Sequence, residues 1–113
     1  MRFKAISSAA LVICLAQAGA QNNTQNYVVE QKNKAFIYRG TKATTLKIKL
    51  GTTVEFKNLD PYFHNVFSLS DAKLFDLGSY PQGESRSVTF DKSGTVEVEC
   101  AIHPLMKMTI EVK

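Results

Sequence analysis

The chain predicts an all-β domain, an antiparallel sandwich or barrel, and three observations carry that prediction. Apolar and polar residues alternate with a period of two along several short stretches. Glycine-bearing turn signals such as Gly51 and Asp91-Lys92-Ser93-Gly94 separate those stretches. The length of 113 residues is enough for one such domain.

Residues 1–20 read as a leader and not as part of the fold. Arg2 and Lys4 give it a positive start, and Ala5 to Ala16 is a mostly apolar run interrupted by Ser7 and Ser8. Ala18-Gly19-Ala20 supplies the small residues that a signal peptidase reads, so cleavage is expected after Ala20. The run is too short for a transmembrane helix, so no stable membrane insertion is expected. Val12 and Ile13 fit poorly before a lipidated cysteine at Cys14. The expected mature protein is residues 21–113, a monomer in the periplasm, and its single remaining cysteine is Cys100. A lone thiol in an oxidising compartment points to pairing between chains, to reactivity or to a metal.

Alternation then sets out the strands. Leu46, Ile48 and Leu50 interleave with Thr45, Lys47 and Lys49. After Gly51, Val54 and Phe56 interleave with Thr53, Glu55 and Lys57. Leu69 to Leu77 is ambiguous and admits a helical turn. Val88 and Phe90, Val96 and Val98, and Ile110 and Val112 each mark one inward face. Cys100 continues the Val96 and Val98 parity, so its sulfur is expected to point into the end of the sandwich.

Charge excludes one class of partner. The formal charge of the whole chain is +4, and loss of Arg2 and Lys4 lowers it by two, to +2. The lysines are spread along strands without clustering or aromatic interleaving, which is no nucleic-acid surface.

The chemistry concentrates in two places. Cys100, His103 and Met106 fall within seven residues of each other, and His64 in Phe63-His64-Asn65-Val66 is the second of only two histidines. A thiolate, two imidazoles and a thioether are soft to borderline ligands that suit one copper ion in both oxidation states. Zinc more usually recruits a further cysteine or histidine in place of methionine. A Cys100–His103 nucleophilic pair lacks an orienting third group. Any one of the four ligands alone reads as ordinary core or strand-end packing; the set at this spacing does not. Met108 lies at a longer spacing from Cys100 and is the competing axial candidate, although it shares the parity of Ile110 and Val112.

Cys100-x-x-His103-Pro104-x-Met106 resembles the ligand loop of amicyanin-type cupredoxins, the small blue copper proteins. His64-Asn65-Val66, Phe75-Asp76-Leu77-Gly78 and Gly83-Glu84-Ser85-Arg86-Ser87-Val88-Thr89-Phe90 are similar to segments of plastocyanin-like relatives. The resemblance covers roughly Thr45 to Lys113. It implies a Greek-key β-sandwich of about eight strands, an exported location and one-electron transfer by copper, with no enzyme activity. The alternative it leaves open is copper delivery by the same fold. Ile102 stands where amicyanins carry proline, so its amide is expected to donate to the Cys100 sulfur. Asn65 is expected to hydrogen-bond to the ligand loop. Pro104 and Leu105 beside His103, with Tyr62 and Phe63 beside His64, form the expected apolar docking patch for transient redox donors and acceptors.

Overall fold

A computed structural model describes residues 27–113, and the leader and residues 21–26 lie outside the described residues. Ten strands follow in order: β1 (Tyr27–Lys32), β2 (Ala35–Tyr38), β3 (Thr41–Lys42), β4 (Thr45–Ile48), β5 (Thr52–Asn58), β6 (His64–Ser70), β7 (Lys73–Tyr80), β8 (Ser85–Phe90), β9 (Gly94–Cys100) and β10 (Lys107–Val112). They form two five-stranded sheets, ordered β3-β2-β1-β5-β8 and β4-β10-β9-β6-β7. The chain passes from one sheet to the other between β3 and β4, β4 and β5, β5 and β6, β7 and β8, and β8 and β9, which is the Greek-key winding of a sandwich. Most neighbours are antiparallel; β1 with β5 and β4 with β10 are parallel.

The core lies between the sheets and is built from the inward set that alternation defines. Val54, Phe56, Val88, Phe90, Val96, Val98 and Ile110 are all buried. Branched and aromatic residues at those positions suit a pleated, half-buried surface. Phe56 packs edge-on against Phe36, and Phe75 reaches both Phe56 and Phe90.

The structure amends the sequence reading in three places. Ten strands replace about eight because residues 33–34 and 39–40 are two-residue turns that fold β2 back on β1 and β3 back on β2. Asn33 and Lys34 have φ of 55° and 58°, the left-handed pair that a tight hairpin requires. Leu50 does not extend the inward row: β4 ends at Ile48, and Leu50 sits in the following turn with 52% exposure. Leu69 to Leu77 contains no helical turn; it is the hairpin of β6 and β7, with Leu69 opposite Leu74.

Strand register brings the two distant ligand segments to one end of the sandwich. β6 and β9 are antiparallel neighbours with Val66 opposite Cys100. The beginning of β6, which carries His64, therefore lies beside the end of β9, which carries Cys100.

Candidate metal centre

His64 is held from below by a side-chain knot. Asn58, buried at the end of β5, donates from Nδ2 to the carbonyls of Tyr62 (2.8 Å) and Tyr80 (3.0 Å), and its Oδ1 accepts from the Asp60 amide at 2.8 Å. Those three bonds fix the course of residues 58–62 and so the point where β6 begins. Within that loop the Asp60 carboxylate meets His64 Nε2 at 2.7 Å. Desolvation pushes the Asp60 carboxyl upward, but hydrogen bonds from His64, Lys34 and Asn33 outweigh it and hold the group below its ordinary value.

The second segment is a short turn closed by its own backbone. The His103 amide donates to the Cys100 carbonyl at 3.3 Å, and the Met106 amide donates to the His103 carbonyl at 2.9 Å. The Cys100 amide donates to the Met106 carbonyl at 3.3 Å, which continues the β9–β10 ladder beyond Glu99 and Lys107. Cys100 is 2% exposed and faces inward with Val96 and Val98, as its parity predicts.

Three donor atoms converge. Cys100 Sγ lies 3.6 Å from His64 Nδ1 and 3.7 Å from His103 Nδ1, and all three atoms fall within 4.8 Å of one another. An ion about 2.3 Å from a thiolate and about 2.0 Å from an imidazole nitrogen, at trigonal angles, separates sulfur from nitrogen by about 3.7 Å. Both sulfur–nitrogen sides of the triangle therefore have the length that a shared metal needs. Burial keeps His103 below its usual basicity, and the neighbouring His64 and Lys34 act the same way against the opposing pull of Asp60. Low basicity leaves a ring nitrogen lone pair available as a ligand.

Aromatic packing closes the outer side. The Tyr62 ring lies 5.6 Å from the His64 ring and 5.3 Å from the His103 ring, and Lys34 Nζ sits 5.5 Å from the Tyr62 centroid. His64 is fully buried, whereas His103 is half-buried. Beside His103 in the chain the surface is apolar, with Ile102 50% and Leu105 96% exposed, and Phe63, next to His64, is 53% exposed.

Met106 and Met108 are both buried, yet at different depths along the ladder. Met106 stands across from Cys100, while Met108 pairs with Val98, one inward position further from the sandwich end. Two expected contacts take other forms. The Asn65 side chain turns away to Asp76 at 3.5 Å, and it is the Asn65 backbone amide that donates to Cys100 Sγ, at 3.4 Å. Among the described residues no hydrogen bond joins the Ile102 amide to that sulfur, because the turn directs the next amide, that of His103, to the Cys100 carbonyl. Asp60 is the site residue that sequence reasoning missed. Its one signal is a spacing of four before His64, and next to Pro61 it reads as a turn residue.

Residues 25–113 match the model of the copper binding proteins of the plastocyanin/azurin family. The chain belongs to that family. Copper is accordingly its cofactor, and the His64, Cys100 and His103 cluster fits that ion in donor type and spacing. A curated relative is the methylamine utilization protein MauL of Methylorubrum extorquens, 29% identical over 68 residues, which cover 59% of this chain. The match spans 60% of MauL's own length. Among solved structures, a reduced Cu(I) amicyanin variant superposes with a TM-score of 0.65 at 25% identity, covering 76% of this chain and 80% of amicyanin. The copper-containing nitrite reductase of Thermus scotoductus superposes with a TM-score of 0.68 at 28% identity over 79% of this chain, which is 22% of the enzyme chain. The all-β cupredoxin sandwich predicted from sequence is therefore the fold.

Proposed function

We propose that the protein is an exported one-electron carrier with copper held by His64, Cys100, His103 and Met106. The observation that carries this reading is the asymmetric burial of a fixed donor triangle. His64 is sealed beneath Tyr62 and anchored on Asp60, Cys100 is locked into the β9–β10 ladder, and His103 alone reaches the apolar surface. Copper bound there supplies a reversible one-electron couple. The side chains supply a rigid cage, so that little has to move when the oxidation state changes.

Met106, rather than Met108, would supply the fourth donor, a thioether, because its backbone lies across from Cys100, whereas Met108 lies across from Val98. The exposed Ile102 and Leu105 beside His103, with Phe63 beside His64, support transient docking of redox donors and acceptors at this end. We assign it no enzyme activity, and the support is membership of the copper binding family and the likeness to amicyanin. The positive start, apolar run and Ala18-Gly19-Ala20 of the leader support a periplasmic location. Among the described residues no helix is long and apolar enough to cross a membrane.

Copper(II) addition to the domain of residues 21–113 tests the reading. An intense visible thiolate-to-copper band that disappears in Cys100→Ser is expected, and a colourless complex would sink it. Retention of copper in both oxidation states separates a carrier from a copper-delivery protein, which would release Cu(I) to a competing acceptor.

A further inference from the structure

Asp60 has more partners than a loop residue needs. It is 3% exposed, and its carboxylate accepts from the turn between β1 and β2 as well as from His64. Oδ1 accepts the Asn33 amide at 2.7 Å, and Oδ2 accepts the Lys34 amide at 3.0 Å and His64 Nε2 at 2.7 Å. The two amides point together because Asn33 and Lys34 both occupy the left-handed region, which turns successive N–H groups toward one anion. Lys34 is an unusual residue to hold φ at 58°, and the amide it presents to Asp60 gives that conformation a use.

Resting on the copper reading above, we propose that Asp60 is a positioning residue for the His64 ligand, fixing its tautomer and biasing the centre toward the cupric state. With both oxygens accepting, the hydrogen on His64 sits on Nε2. The Nδ1 lone pair is then left facing the site, 3.6 Å from Cys100 Sγ. An imidazole that gives its N–H to a carboxylate is a stronger donor through its other nitrogen. Stronger donation, together with a nearby buried negative charge, favours the more highly charged ion, so Cu(II) gains more than Cu(I). A carboxylate that served merely to staple the β1–β2 turn to the ligand loop would stabilise the fold and leave this preference untouched.

The test compares Asp60→Asn with the unmodified protein, both loaded with copper. Asparagine keeps an acceptor for His64 and removes the charge. The thiolate-to-copper band should persist, the reduction potential should rise, and Cu(II) affinity should fall by about 10–100-fold with a smaller change for Cu(I). A stability loss with an unchanged potential and an unchanged affinity ratio would overturn the proposal while leaving the copper site intact. Absence of the band from the unmodified protein would overturn both readings. Should Asp60→Asn fail to fold, nitrogen NMR of the His64 ring in the copper-free, unmodified protein gives the second measurement. A hydrogen fixed on Nε2 is expected; one on Nδ1, or averaged between the two nitrogens, overturns the proposal.

Discussion

The backbone amide of Asn65 donates to the sulfur of Cys100 across 3.4 Å, so the strand that carries His64 also bonds to the sulfur at the end of β9. A hydrogen bond to a thiolate draws electron density from it, weakens its donation to copper and favours the reduced ion. Asn65→Pro removes this N–H and should lower the reduction potential. Asn65→Ala keeps the N–H, loses the long contact to Asp76, and should leave the potential close to that of the parent. Voltammetry on the two variants checks the contrast; equal potentials would show that the amide does not tune the sulfur.

The two buried methionines should respond differently to a swap of similar volume. Met106→Leu removes a thioether from the site and should raise the reduction potential and alter the visible spectrum. Met108→Leu should leave the spectrum unchanged and cost less than about 1.5 kcal/mol of stability, since its neighbour Val98 belongs to the core. Spectra and urea midpoints of both variants decide the assignment, and a spectral change confined to the Met108 variant would reverse it.

Tyr80 ties the two sheets together and should make the fold sensitive to alkali. Its hydroxyl donates to Gln31 Oε1 at 2.7 Å, and burial pushes its phenol well above the usual range despite that bond. A group raised in the folded state contributes its stability in full below the unfolded value, near pH 10, and loses it as pH rises toward the folded value. Urea midpoints should therefore decline above about pH 10. Tyr80→Phe should flatten that decline and cost about 1–3 kcal/mol at neutral pH, because it leaves Gln31 Oε1 unpaired beside the already partnerless Nε2.

Leu105 touches little of its own chain and should matter for encounter alone. At 96% exposure, Leu105→Glu should change stability by no more than about 0.5 kcal/mol and leave the visible spectrum in place. It should slow electron self-exchange between two copies at least about tenfold, because like charges would face each other across the apolar patch. Exchange measured by NMR line broadening at equal oxidised and reduced concentrations checks it. An unchanged rate would place the encounter surface elsewhere.

Much of this architecture was legible because period-two alternation survives where a strand has one wet face. Val54 with Phe56, Val88 with Phe90, and Val96, Val98 with Cys100 all occupy the side that parity assigns. The rule failed at Leu50, where alternation runs on after the hydrogen-bonded strand has stopped. The short strands at Ala35–Tyr38 and Thr41–Lys42 were hidden because their turns rely on Lys34 and Arg39 in a conformation usually given to glycine or asparagine. At the metal centre, residue types and spacing indicated which side chains matter, whereas the supports did not show. Asp60 earns its place from a turn 26 residues upstream, and the Asn65 donor is a main-chain group that no side-chain code records.

Since one imidazole is sealed and its counterpart opens outward, the centre has, among the described residues, a single doorway. On the carrier reading, two partners that both need His103 cannot occupy it at once, so the protein must leave the first before meeting the second. Fast dissociation then matters as much as correct encounter. A variant that clung more tightly to either partner would slow the whole relay.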